Sequence, residues 1–484
     1  MRSAAISRGV VVSALLAWVV GCSRPAPPTP ELIILHTARL RGNVYPTDVR
    51  GEIPLQHYPY LAGYVKATRA EAARHGAEVV VVDLGDSLAG SFAAHVTGSR
   101  NMAAFFNTVG YDALVLGNLD ADLPADLLPQ LQAPVLSPFT GPAGEPAMAG
   151  TQPGVRFRKG GLAIALLANF HGDTPVAQHP LRFPSRFGPD RRPVVPVREY
   201  GPVLRSLPAI DGVPFTAMAW MKFERPDPPP ERFLGSLRAL GIDLILGHRI
   251  GNGRDPESWQ GVAPPDWDPP VTENFLRNNL GFTVARTDLR REGGSWKVLR
   301  REVIPLTANT APPDEEVRAA VAPFAAAIRE ADLAVGTLDR DLDAAAIHRI
   351  YLAALSSMPD IELIASPSDS IRSGWKAGPL RAGQVFNSLP WTAPLYRVSV
   401  PASRVAELAR LENLDLWRNR ESSDPVLHLA TSAYFASLVR EQFGLVEIEP
   451  LPLPGEFDFF LGYLRARPDF AEAIPGPGWV RAEP

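Results

Sequence analysis

Past Glu31 the chain repeats one alternation: a short apolar run, a turn, then a longer stretch with helical spacing. This constrains the fold more than any other feature, because strands that alternate with helices pack as layered α/β structure. The strand-like runs are Leu32–Leu35, Glu78–Leu84, Ala113–Leu116, Leu162–Ala168, Thr216–Trp220 and Asp243–Leu246. Between them Tyr58–His75 places Leu61, Val65 and Ala72 at helical spacing, and Arg100–Val109 and Glu231–Leu240 also read as helices. Asn279–Leu289 and Ser295–Ile304 are expected to close the unit as a hairpin turning through Arg291–Gly294. Phe170–Pro202 is rich in Pro and Arg with little periodicity, and reads as a long covering loop.

A chain of 484 residues exceeds one hydrophobic core, so two domains are expected. A formal net charge of −4 argues against a nucleic-acid polymer as partner. Pro312–Asp332 reads as one long amphipathic helix, started by Pro312-Pro313-Asp314 and suited by Glu315-Glu316 in its first turn. Ala344–Ser356, Ala402–Leu411 and Thr431–Phe443 follow as helices, and Ile361–Ala365 and Ala393–Val400 as strands. Beyond Glu449 prolines leave no clear element. The expected division is a first domain over 31–311, a linker helix over 312–333 and a second domain over 334–484.

The chain has one cysteine, which excludes internal disulfides and cysteine-cluster metal sites. Its setting is Arg2 and Arg8, the apolar run Gly9–Val20, then Gly21-Cys22. Val19-Val20-Gly21-Cys22 resembles a bacterial lipobox, which implies a signal peptide over 1–22 and lipid on Cys22; an ordinary signal peptide that contains Cys is the alternative. Ser23, and not an Asp, follows the cysteine, which implies outer-membrane sorting. Residues 23–30, with the run Arg24–Pro30, then read as a stiff tether. The expected location is the bacterial cell envelope, with the membrane held through the lipid.

Polar residues gather where strands end, the position at which open α/β folds place their chemistry. Leu32–Gly42 ends with Arg39 and Arg41 around Leu40, and Val79–Ser91 runs into Asp83 and Asp86. Leu114–Asp122 carries Asn118, Asp120 and Asp122, and Ile242–Gly251 carries His248. Asp, Asn and His at adjacent strand ends suit an oxygen/nitrogen metal site, although a single strand-end Asp is more often a turn former. No Walker loop, GxGxxG, GxSxG or HExxH is present. Ser87 in GDSLAG is similar to the nucleophile block of GDSL esterases, but lacks that block's N-terminal position and downstream Asp-x-x-His.

In order, these stretches, with NMAAFFNTVGYDALVLGNLDAD, IDLILGH and SDSIRSGWKAGPLRAGQVFNSLPW, resemble bacterial 5′-nucleotidases. The resemblance implies an α/β fold: a calcineurin-like metallophosphoesterase β-sandwich flanked by helices, then a smaller α+β C-terminal domain. It also implies two divalent metals that activate water and clamp a phosphate. The expected first-strand Asp-x-His falls on Arg39 and Arg41. The bridging Asp is kept as Asp86 and the ligand Asn as Asn118. The following His is Leu119, with its carboxylate partner kept as Asp122, a possible catalytic remnant. A lone His aligns with Lys222, and the last motif keeps His248 with Ile250 as its partner.

One implied metal site therefore keeps only Asp86, and the other keeps Asp86, Asn118 and His248. Three fixed cations would repel a divalent ion by several kcal/mol at contact. Three readings stay open: arginines paired internally with Asp86, Asp120 or Asp122; an anion or phosphate bound by Arg39, Arg41, Asn118 and Lys222; or one remaining Mn, Zn or Fe ion. In the second domain Arg372 matches the substrate-contacting Arg, but Ser368–Ser370 replace the glycines before it and Trp391 replaces a Phe. The expectation is a binding protein without a cofactor, for an anionic small molecule or an envelope protein. A metal-dependent phosphoesterase acting on nucleotides or other phosphate esters is the alternative.

Overall fold

The computed structural model describes residues 28–45, 57–117, 120, 123–124, 126–140, 145–146, 148–171, 195–197, 199–212, 214–223, 237, 239–250, 283–367, 370–410, 414–444, 447–467, 469–472 and 480–481. The strands of the two main sheets of its first domain are β1 (Leu32–Thr37), β2 (Glu78–Asp83), β3 (Ala113–Val115), β4 (Val135–Leu136), β5 (Thr151–Gln152), β6 (Gly154–Lys159), β7 (Leu162–His171), β8 (Phe215–Phe223), β9 (Leu244–Ile250), β10 (Thr283–Glu292) and β11 (Ser295–Pro305). They form two sheets, ordered β11-β10-β1-β2-β3-β4-β5 and β9-β8-β7-β6. The helices are α1 (Tyr58–His75), α2 (Phe92–Thr97), α3 (Arg100–Val109) and α4 (Tyr200–Ser206).

The apolar run at β1 is continuous because both of its faces are buried. Leu32 and Ile34 pack between the sheets with Ile164, Leu166, Ala217 and Leu244. Ile33 and Leu35 point the other way, into a core shared with Leu61 and Val65 of α1 and Phe105 and Phe106 of α3. Behind the second sheet, Leu167 and Met218 pack with Tyr200 of α4 and Leu237. The result is helix, sheet, sheet, helix, with β1, β2 and β3 parallel so that their C-terminal ends share one edge. The hairpin of β10 and β11 pairs antiparallel through β10 onto β1.

The second domain contains β12 (Ala334–Leu338), β13 (Leu363–Pro367), β14 (Gly378–Arg381), β15 (Leu395–Pro401), β16 (Leu414–Arg418), β17 (Val426–Ser432), β18 (Ile448–Pro450) and β19 (Val480–Arg481). Its main sheet is ordered β18-β15-β17-β13-β16-β19, and β12 pairs separately with β14. Its helices are preceded by α5 (Glu315–Val321) and α6 (Ala325–Ala331), and are α7 (Ala344–Ser356), α8 (Ala382–Ser388), α9 (Ala433–Phe443) and α10 (Glu456–Ala466).

Several expected elements change. The long helix over Pro312–Asp332 is broken into α5, a 3₁₀ turn at Ala322–Phe324 and α6. Pro323 lacks the N–H that would continue the ladder. Asp314 caps α5 by accepting from the Val317 N–H at 3.0 Å. Thr431 and Ser432 belong to β17, not to the helix after it, because β17 pairs with both β13 and β15. Ala402–Leu411 shrinks to a 3₁₀ turn at Ala402–Arg404 and a short helix at Val405–Leu408. Most of Glu231–Leu240 and of Phe170–Pro202 lies outside the described residues.

Candidate functional site

β1 and β2 run side by side with Thr37 opposite Asp83, and each then enters a tight loop. The two loops are joined through their backbones. The N–H groups of Arg39, Arg41 and Gly42 donate to the carbonyls of Gly85 (2.8 Å), Asp86 (3.1 Å) and Ser87 (2.9 Å). The Leu40 N–H donates to Ser87 Oγ at 3.0 Å. Three non-glycine residues are left-handed here: Arg39 (φ 56°), Arg41 (φ 55°) and Asp86 (φ 55°). Each costs about 1–2 kcal/mol against ordinary backbone, a strain that persists only where surrounding bonds over-determine it.

Behind the loops sits a buried polar network. Asp83 accepts from Thr37 Oγ1 at 2.7 Å, Ser87 Oγ at 2.9 Å and the Gly85 N–H at 2.9 Å. Thr37 Oγ1 lies 3.0 Å from the Tyr111 hydroxyl. Burial pushes the Asp83 carboxyl up to about 8, against the pull of its three donors. A protonated Asp83 fits the same geometry, because both hydroxyls can rotate to accept.

Asp120 closes the site from the β3 side. Its Oδ1 accepts the Leu88 and Ala89 N–H groups at 2.9 and 3.2 Å, and its Oδ2 accepts the Gly117 N–H at 2.8 Å. Burial and the neighbouring Asp86 raise its carboxyl to about 6. Gly117 has no room for a side chain, since a Cβ there would lie 2.1 Å from Asp86 Oδ1 and 2.4 Å from the Asp86 nitrogen.

Into this carboxylate cluster comes Arg41. Arg39 and Arg41 are only 4% and 8% exposed, so neither guanidinium faces open water. Burial lowers the pKa of Arg41, and the fields of Asp86 and Asp120 oppose that shift. The fields of both carboxylates, on neighbouring loops, thus favour the charged form. Arginine keeps its proton in such a setting, and its fork suits carboxylates.

Asn118 and Asp122 lie outside the described residues, as does Cys22. Lys222 and His248 fall near the C-terminal ends of the parallel strands β8 and β9, where Lys222 pairs in register with Arg249 and Met221 with His248. Arg372 lies in the second domain, its guanidinium carbon 4.5 Å from the centroid of the Trp391 ring, whose Nε1 donates to the Ser370 carbonyl at 3.2 Å. Sequence reasoning did not single out the linkage of Asp83 to Thr37, Tyr111 and Ser87. The register of two parallel strands makes it, and no local pattern announces that register.

Among the described residues, no group of three His, Cys, Asp or Glu side chains could hold a metal ion. The described residues around Asp86 include a buried guanidinium, Arg41, which would repel a divalent ion, and they do not by themselves fit a two-metal centre.

No family model matches the chain, and no curated protein matches it. Solved structures do. A Staphylococcus aureus protein assigned as a 5′-nucleotidase superposes with TM-score 0.63 at 16% identity, covering 92% of this chain and 98% of that one. The Thermus thermophilus 5′-nucleotidase precursor gives TM-score 0.57 at 13% identity, covering 90% and 96%. The Thermus thermophilus sulfate thiohydrolase SoxB gives 0.58 at 15%, covering 91% and 95%. The chain therefore has the fold of these proteins, a phosphoesterase-like first domain followed by the C-terminal domain of that architecture. A thiohydrolase of the same shape shows that the fold does not by itself define a reaction.

Proposed function

We propose that this chain is a lipid-anchored protein of the bacterial cell envelope that uses the 5′-nucleotidase fold to bind and not to hydrolyse. The observation that carries this is the buried Arg41 guanidinium set against Asp86 and Asp120. In a working two-metal site Asp86 would face divalent ions, and here the nearby charge is a fixed guanidinium. The bound species is an anionic, phosphate-bearing small molecule or an envelope protein. Because Arg39 and Arg41 are buried, recognition of an anion falls to the more accessible Arg372 beside Trp391, with Asn118 and Lys222 as further candidates.

The test uses full-length protein with a generic phosphate ester and a nucleoside monophosphate, each with added Mn²⁺ and Zn²⁺. The expected result is no turnover beyond an Asp86→Ala control, with zinc, manganese and iron all substoichiometric. Turnover that Asp86→Ala abolishes would establish the metal-dependent phosphoesterase reading instead.

A further inference from the structure

We infer that α2 is a mechanical key that joins the second domain to the interlocked Arg39–Gly42 and Gly85–Ser87 loops, so that the two domains behave as one cooperative unit. Helix α2 belongs by sequence to the first domain, yet its buried side chains are not in that domain's cores. Phe92 and Ala93 instead share a core with Ile328 of α6, Phe386 of α8 and Phe457 of α10. The Phe92 ring lies 6.0 Å from Phe386 and 6.5 Å from Phe457, centroid to centroid. His95, one turn later, stacks on Phe386 at 5.1 Å and meets Phe457 edge-on at 5.5 Å. The approach is close: a Cβ on Gly383 of α8 would lie 3.2 Å from the Phe92 ring. Gly383 also donates its N–H to Asp332, just past α6, at 2.8 Å.

The N-terminus of α2 is also bonded to the site. Ser91 is its N-cap, accepting from the Ala94 N–H at 3.1 Å. The same hydroxyl donates to the Gly42 carbonyl at 2.5 Å. Gly42 in turn is held to Ser87, next to Asp86. One short helix therefore has its aromatic face in the second domain and its cap on the Arg41 loop. Loosening the aromatic contact should loosen the loops, because the Ser91 bond and α2 move together. This holds whether or not the site turns over a substrate.

The experiment is native-state hydrogen exchange on the full chain, comparing wild type with Phe386→Ala and with the milder Phe386→Leu. Phe386 lies in the second domain, and neither substitution alters the site loops directly. The expected result is faster exchange at the amides of Arg39, Arg41 and Gly42, by about tenfold or more in whichever variant folds. Calorimetry of wild type should show a single transition. Faster exchange confined to the second domain, or two separated transitions in wild type, would overturn the inference.

Discussion

Replacing Asp83 by Asn should remove the pH dependence of stability that this carboxyl imposes. Asp83 is buried, and its carboxyl is raised from an ordinary 3.8 to about 8. Below 3.8 it is protonated in both folded and unfolded chains, so its full contribution is present there. Between 3.8 and 8 the folded state holds a proton that the unfolded state has released, and stability falls as pH rises. Four pH units at about 1.4 kcal/mol each give a loss of about 6 kcal/mol above pH 8. That is a large share of the roughly 5–15 kcal/mol that holds a domain together. The asparagine amide cannot ionise; its oxygen can accept the Gly85 N–H where Asp83 Oδ1 does, and its NH2, in the place of Oδ2, can donate to the Thr37 and Ser87 hydroxyls, which rotate to accept. The assay is urea denaturation of wild type and Asp83→Asn at pH 5, 7 and 9. Glu456, raised by burial to about 7, falls in the same direction in both proteins and largely cancels in the difference. The variant should gain on wild type steadily as pH rises. A constant difference across the range would refute burial as the dominant influence on Asp83 and would favour its three donors.

Two further changes test the site and the anchor. Gly117→Ala would drive a methyl group into the Asp86 backbone nitrogen and carboxylate, and should cost at least about 1–3 kcal/mol, read as a lower urea midpoint. An unchanged midpoint would mean that the β3 loop can withdraw freely. Cys22→Ser should abolish incorporation of labelled fatty acid and release the protein from membranes. Continued membrane association of that variant would locate the anchor elsewhere. Among the described residues no helix is long and apolar enough to cross a membrane.

The strands were legible where local chemistry left one choice. Leu32–Leu35 and Val79–Val82 are apolar on both faces, and both faces are covered. The hairpin turn around Gly293-Gly294 was equally plain. Helix α10 was not anticipated, because prolines at 450, 452 and 454 made the stretch look irregular. Yet its buried Phe457, Phe460, Leu461 and Leu464 follow helical spacing, so the signal was there. Thr431 and Ser432 were drawn into a strand by two neighbours distant in sequence, which propensity does not register.

By itself the sequence determined the layered α/β class, the two-domain length and the presence of Arg39 and Arg41 at a strand end. These depend on residue type, periodicity and order, which are local. Only the tertiary structure decided what the arginines do. Burial beside Asp86 and Asp120 depends on strand register, on left-handed backbone at three residues and on the absence of a side chain at Gly117. It also decided that α2 leaves its own domain's cores for those of the next. A charge in a sequence is only a charge; its desolvation and its partners come from distant segments folded against it.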